Sequence, residues 1–145
     1  MLNVKLIPMY PIELVAPMAK DLTDYGFESL KTPAEVQEVL DKPEGTVLVV
    51  VNSVCGCAAG NARPGVKMAI QHDNKPEKLV TVFAGVDREA TDLARDYMLP
   101  YPPSSPSIAL FKDGALVHML ERHHIEGRSA DLIAENLKMA FDRYC

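Results

Sequence analysis

The sequence predicts an α/β fold: a central mixed β-sheet of about four strands flanked by helices, with extra helices ahead of the first central strand. Two segments rich in β-branched residues, Thr46 to Val51 and Leu79 to Ala84, are apolar on both faces, as strands in the middle of a covered sheet must be. A helix-period segment lies between them and suits a right-handed crossover joining parallel strands. Further on, Asp113-Gly114 separates two strand-like runs, the strongest short signal for an antiparallel hairpin.

Each element has its own mark. From Pro11 to Tyr25 the apolar residues Ile12, Val15, Met18, Ala19 and Leu22 recur at helical spacing, with Pro17 expected to kink or restart the helix and Gly26 to end it. Thr32 is placed to cap a short second helix, with Pro33 at its first position, Glu35 reaching back, and Val36, Val39 and Leu40 as its apolar face. After the first strand, Ala58 to roughly His72 reads as a helix disturbed at Pro64-Gly65. After the second, Asp87 is placed to cap a helix through Tyr97. PYPPSSPS, Pro100 to Ser107, is too short to separate domains, and Ser107 to Lys112 and Ala115 to Leu120 form the hairpin. Ser129 caps a last helix whose residues Leu132, Ile133, Leu137, Ala140, Phe141 and Tyr144 make one stripe. Helix, helix, strand, helix, strand, helix, hairpin, helix is the thioredoxin architecture.

A chain of 145 residues suits one domain over 1–145, with residues 1–8 as a candidate extension. The net charge of −5 and the absence of any Lys/Arg block leave no electrostatic footprint for a nucleic acid or an anionic membrane. The N-terminal run MLNVKLIPMYPIELV is broken by Pro8 and Pro11 and does not read as a signal peptide, and no later stretch has the apolar length of a membrane span. The expected location is the cytoplasm, where thiols stay reduced. Three cysteines (Cys55, Cys57 and Cys145) then argue against a structural disulfide framework and leave only transient bonds. Nothing in the sequence marks an oligomeric state.

Cys55-Gly56-Cys57 falls where the first central strand ends and the next helix begins, the place where open α/β sheets gather reaction sites. A thiolate there faces unpaired backbone N–H groups and the positive end of the macrodipole, so Cys55 should titrate below the free thiol value of about 8.5. Cys57, further along the first turn, suits the sulfur that attacks second. Gly56 removes bulk between the sulfurs and permits the dihedrals that a small ring demands. A Cys-x-Cys disulfide closes a ring of roughly 11 atoms against roughly 14 for Cys-x-x-Cys, so it should be more strained and more easily reduced. Two other readings stay open. The pair can be buried small residues, or it can be half of a metal site with Cys55, Cys57, His123, His124 and Cys145 as the soft ligands available. No second Cys-x-Cys completes a tetrahedral set, and no metal is expected.

LVVVNSVCGCAAGNARPG, with MYPIELVAPM upstream, PSSPS before the hairpin, RHHIEG after it and a final cysteine, resembles the bacilliredoxin A/B family of thioredoxin-like proteins, found in bacteria that make bacillithiol. The resemblance runs from Met9 over nearly the whole chain. It implies that Cys55 is the nucleophile that removes bacillithiol from S-bacillithiolated proteins, with Cys57 beside it. Bacillithiol, a low-molecular-weight thiol, is then a co-substrate, and no cofactor is tightly bound. It also implies that Pro106, in Ser105-Pro106-Ser107, is a cis proline facing the nucleophile, so that Gly56, Ser105 and Pro106 meet the substrate, Ser105 through its backbone. The plainer reading is that Pro102, Pro103 and Pro106 stiffen a loop. The motif differs from the Cys-x-x-Cys of thioredoxin, so general dithiol reductase behaviour is not inherited from the fold. Reduction or isomerisation of protein disulfides is the alternative activity.

Cys145, on the last turn of the final helix, is expected to be exposed with a raised pKa, an accessory thiol for a disulfide with Cys55 or between two chains. Arg63 and Lys67 are the charges placed to attract the carboxylates of an anionic thiol, with a solvated role as the default for both. His72, His118, His123 and His124 read as surface residues, the last two facing opposite ways if extended.

Overall fold

The computed structural model describes residues 6–145, and residues 1–5, the front of the candidate extension, lie outside the described residues. Helix α1 (Ile12–Thr23) runs through Pro17, buries Val15 and Leu22, and gives way to a turn at Gly26. Strand β1 (Glu28–Ser29) follows. Helix α2 (Pro33–Leu40) starts at a reciprocal cap in which Thr32 Oγ1 accepts from the Glu35 N–H at 3.2 Å while the Glu35 carboxylate accepts from the Thr32 hydroxyl at 3.1 Å. Strand β2 (Thr46–Asn52) leads through the cysteines to a π-helical turn, Ala58–Ala62, and helix α3 (Arg63–Ala69). Strand β3 (Lys78–Phe83), helix α4 (Arg88–Asp96) and the hairpin β4 (Ser107–Lys112) and β5 (Ala115–Leu120) come next. Helices α5 (Arg122–Ile125) and α6 (Ala130–Tyr144) finish the chain, with Ser129 capping α6 through its side chain.

The sheet order is β1-β3-β2-β4-β5. The first three strands run parallel, and β4 and β5 each run antiparallel to the neighbour before them. Because side chains alternate along a strand, Leu48 and Val50 of β2 enter the core shared with α1, α3 and α6. Val47, Val49 and Val51 point the other way, onto α2 and α4. Both faces are covered, which is why the strand reads as a continuous apolar run. The hairpin turns at Asp113 (φ 52°) and Gly114 (φ 82°), the two positive angles that a tight primed turn requires. Helix α6 lies so close on α3 that a Cβ at Gly65 would stand 2.7 Å from Ile133 Cγ2. Among the described residues no helix is long and apolar enough to cross a membrane.

The structure departs from the sequence reading where tertiary context outweighs local signal. A fifth strand, β1, joins the four expected, because two polar-leaning residues carry no periodicity yet pair in register with Val80 and Thr81. The disturbance expected at Pro64-Gly65 appears one turn earlier. Pro64 has no N–H and crowds the preceding turn, so the chain widens to π geometry over Ala58–Ala62 and α3 restarts around the proline. Asp87 occupies the cap position of α4 but makes no capping bond from its half-buried side chain, and burial pushes its carboxyl up. Leu132 is 59 % exposed, since it lies roughly 100° round the helix from Ile133, whose stripe continues through Leu137, Ala140 and Phe141.

Candidate active site

Strand β2 ends at Asn52 in the middle of the sheet, and a buried polar knot holds the loop that follows. Asn52 donates to the Met18 carbonyl at 3.1 Å, and its Oδ1 accepts from the Ser53 N–H at 2.9 Å and from Arg63 Nη1 at 3.0 Å. Arg63, only 5 % exposed, also donates to the Ser53 carbonyl at 3.1 Å and pairs through Nε with Asp21 at 3.2 Å. Lys67 reaches the other Asp21 oxygen at 2.6 Å. Partial burial works against the Asp21 charge, but Lys67 and then Arg63 outweigh it and hold the carboxyl below the usual carboxylate range. The default of solvated charge therefore fails for Arg63, and both cations are already engaged rather than open to an anionic thiol.

This knot sets Cys55 at the entrance to the helical stretch. Ser53 Oγ accepts from the Cys55 N–H at 3.3 Å, and the Cys55 carbonyl accepts from the N–H groups of Ala58 at 2.9 Å and Ala59 at 3.2 Å. Both cysteines of the pair are reduced and half-buried, with Gly56 exposed between them. The Cys57 backbone N–H donates to Cys55 Sγ at 3.4 Å, and the Cys57 thiol stands beside the same sulfur. The thiol donor comes first among the causes; with the backbone N–H groups and the Arg122 guanidinium it overcomes burial and holds the Cys55 thiol below its ordinary value. Cys57 is pushed the other way, by burial first and then by its role as proton donor to Cys55. The pair is thus polarised, with thiolate character on Cys55 and the retained proton on Cys57. Cys57→Ala should raise the pH midpoint of Cys55 alkylation, and Cys57→Ser, which restores a donor, should bring it back towards native. A midpoint that Cys57→Ala leaves unmoved would contradict this origin of the shift.

Arg122 is the residue that sequence reasoning missed. Its Nη2 lies 3.2 Å from Cys55 Sγ, its Nη1 3.3 Å from the Ser105 carbonyl, and its Nε 3.0 Å from Glu126 Oε2. The Ser105–Pro106 peptide is cis and Pro106 is buried. Topology explains the convergence. Strands β2 and β5 each run antiparallel to β4, so the end of β2, the start of β4 and the end of β5 meet at one end of the sheet. Cys55, Ser105 and Arg122 sit just beyond those three points. The signal lay in RHHIEG following the hairpin, but only the pairing of β4 with β2 gives it meaning.

Cys145 sits at the opposite end, beside Thr46, where partial burial pushes its thiol up even though the residue is exposed. Six residue steps of β2 at about 3.3 Å each put roughly 20 Å between the two ends, so the in-chain disulfide with Cys55 is out of reach. The soft ligands proposed as a metal set are likewise not gathered. Among the described residues Glu121, His123 and His124 bring ligand atoms within 4.8 Å of one another, without a cysteine. Glu121 and His124 are already spent on the capping box of α5, in which His124 Nδ1 accepts from the Glu121 N–H at 3.0 Å. That helix, and not an extended pair, places the two imidazole rings 3.9 Å apart. A cleft of about 800 Å³ between α1 and the β1–β3 side of the sheet includes Asn52 in its wall but neither cysteine of the pair. The sulfurs lie outside it, on a surface that a large substrate can approach.

A family model described as Disulphide isomerase matches residues 10–145. The chain is 62 % identical to a bacilliredoxin of Cytophaga hutchinsonii, over 92 % of this chain and 98 % of that protein. It is 54 % identical to a bacilliredoxin of Salinibacter ruber, over 94 % of this chain and 81 % of that protein. Thioredoxin of Fasciola hepatica matches with a TM-score of 0.54 at 16 % identity, covering 82 % of this chain and 100 % of that one. Mitochondrial thioredoxin 3 of Saccharomyces cerevisiae gives 0.55 at 16 % identity, covering 85 % and 98 %. At that identity the structural likeness speaks for the thioredoxin-like fold alone, while the sequence likeness spans nearly the whole chain. The chain belongs to the bacilliredoxin family and is a thiol-disulfide oxidoreductase.

Proposed function

We propose that the protein removes bacillithiol from S-bacillithiolated proteins in the cytoplasm, with Cys55 as the nucleophile and bacillithiol as co-substrate. The polarised sulfur pair carries this reading: Cys55 Sγ collects donors from Cys57 and Arg122 while Cys57 keeps its proton. The names of the relatives point the same way. The Cys55 thiolate attacks the bacillithiol sulfur of the mixed disulfide. A new bond forms between the two sulfurs, the old one breaks, and its electron pair leaves on the target protein's sulfur. A second bacillithiol thiolate then attacks the bacillithiol sulfur held on Cys55, releasing the Cys55 thiolate and forming bacillithiol disulfide. In the competing route Cys57 attacks Cys55 Sγ and expels bacillithiol, at the cost of the strained small ring, so the small thiol is the main recycling partner. Gly56, Ser105 and Pro106 form the surface that meets the substrate, within one domain to which residues 1–8 are an extension. No tightly bound cofactor takes part.

Reduction or isomerisation of protein disulfides is the second reading, favoured by the description of the family model. Intact-mass analysis separates the two. Mixed with a bacillithiolated target, the protein should gain the mass of bacillithiol on Cys55 as the target loses it. A target that keeps its bacillithiol while a scrambled protein disulfide is rearranged would decide for the second reading.

A further inference from the structure

We infer that Arg122 is a specificity-determining residue: by bridging Cys55 Sγ and the Ser105 carbonyl it occupies a backbone acceptor on which a polypeptide would dock, and so favours mixed disulfides whose attacked sulfur belongs to a small thiol. This rests on the reading of Cys55 as nucleophile and extends it to substrate class. An extended peptide laid beside a reactive sulfur gains its affinity from main-chain hydrogen bonds to exposed backbone groups. Here Pro106 has no N–H, and the adjoining acceptor, the Ser105 carbonyl, already takes a bond from Arg122 Nη1 at 3.3 Å. The same planar fork holds Cys55 Sγ through Nη2 at 3.2 Å and is tethered through Nε to Glu126 at 3.0 Å. Because the guanidinium is rigid, turning Nη1 away from Ser105 also moves Nη2 relative to the sulfur. Peptide docking and retention of the positive charge on the sulfur therefore compete. A small thiol brings a sulfur and no strand, so it leaves the bridge in place. The Arg122 side chain is 46 % exposed, free enough to swing, which makes the preference a bias and not a block.

The test follows a single exchange by the pre-reduced protein, in which the Cys55 thiolate takes one half of the disulfide and releases the other as a thiolate. It compares the second-order rate constant of the native protein, Arg122→Lys and Arg122→Gln on two substrates built from one uncharged peptide. One is its symmetric disulfide; the other is its mixed disulfide with 2-mercaptoethanol, a neutral thiol with no backbone. Lysine keeps the charge but cannot span both acceptors, and glutamine removes the charge as well. In both variants the ratio of symmetric to mixed activity is expected to rise by about fivefold to tenfold, the worth of one hydrogen bond, whatever the change in absolute rate. A ratio that stays within about twofold of native in either variant, the scatter of a surface substitution, overturns the inference. A native protein that fails on bacillithiol mixed disulfides would instead overturn the proposed function, and this ratio would remain readable because neither substrate contains bacillithiol.

Discussion

Cys55→Ala is expected to abolish release of bacillithiol from a modified target, with a loss of about a thousandfold or more, whereas Cys57→Ala should still complete one turnover and accumulate a bacillithiol adduct on Cys55. The asymmetry follows from the sulfur pair. Removing Cys55 removes the sulfur to which Arg122 Nη2 donates, and Cys57, pushed up by burial first, does not replace it. Removing Cys57 takes away a proton donor, so less Cys55 is thiolate at neutral pH. The remaining thiolate is a better nucleophile, and with a Brønsted coefficient near one half the net loss is held to about threefold for each tenfold fall in thiolate fraction. Time-resolved intact mass distinguishes the two variants directly. A Cys55→Ala protein that clears a bacillithiolated target at the native rate would sink the assignment.

A large loss of stability is expected from Arg63→Ala. Breaking a buried ion pair from one side typically costs 3–5 kcal/mol, and about 3 kcal/mol is appropriate here because Asp21 is 34 % exposed and keeps Lys67 as a partner. For a chain of this size that lowers Tm by about 10 °C. Asp21 titrates lower folded than unfolded, so its share of stability is present above the ordinary carboxylate value and is lost as pH falls through the folded one. The same substitution frees the Ser53 carbonyl and loosens Asn52, and Ser53 holds the Cys55 N–H. The excess of Cys55 over Cys145 in alkylation rate should shrink along with Tm. A native melting curve for Arg63→Ala would show that the knot does not support the site.

Legibility in the sequence followed the length over which a signal repeats. Thr46–Val51 and Leu79–Ala84 announce themselves because both faces of a doubly covered strand call for apolar or β-branched residues, the buried Thr46 and Thr81 hydroxyls being hydrogen-bonded. Thr32, Ser129 and Asp113-Gly114 do so because caps and tight turns restrict residue type within a few positions. The cysteine pair was legible for a positional reason, at the seam between a buried strand and a helix. Glu28–Ser29 and Arg122–Ile125 are too short to repeat anything: the strand exists because β3 offers it a partner, and the helix is closed by its own Glu121–His124 cap. Arg63 was misread as a surface charge because nothing local marks Asp21, 42 residues earlier, as its counterion. Arg122 needed the antiparallel placement of β4 against β2 before its proximity to Cys55, 67 residues away, had any basis.

The separation of Cys55 and Cys145 at opposite ends of β2 dictates the geometry of oxidative crosslinking. A bond between these two thiols joins one copy's front to another copy's back, a heterologous contact that leaves a reactive Cys55 and a free Cys145 at the two ends of the product. Such linkage grows by addition into open chains, and non-reducing electrophoresis would display it as a ladder. A bond between two Cys145 thiols is isologous and stops at a closed pair. The band pattern of an oxidised sample therefore reports how many thiols per copy have reacted: a ladder needs both Cys55 and Cys145, and a single dimer band needs only one of them.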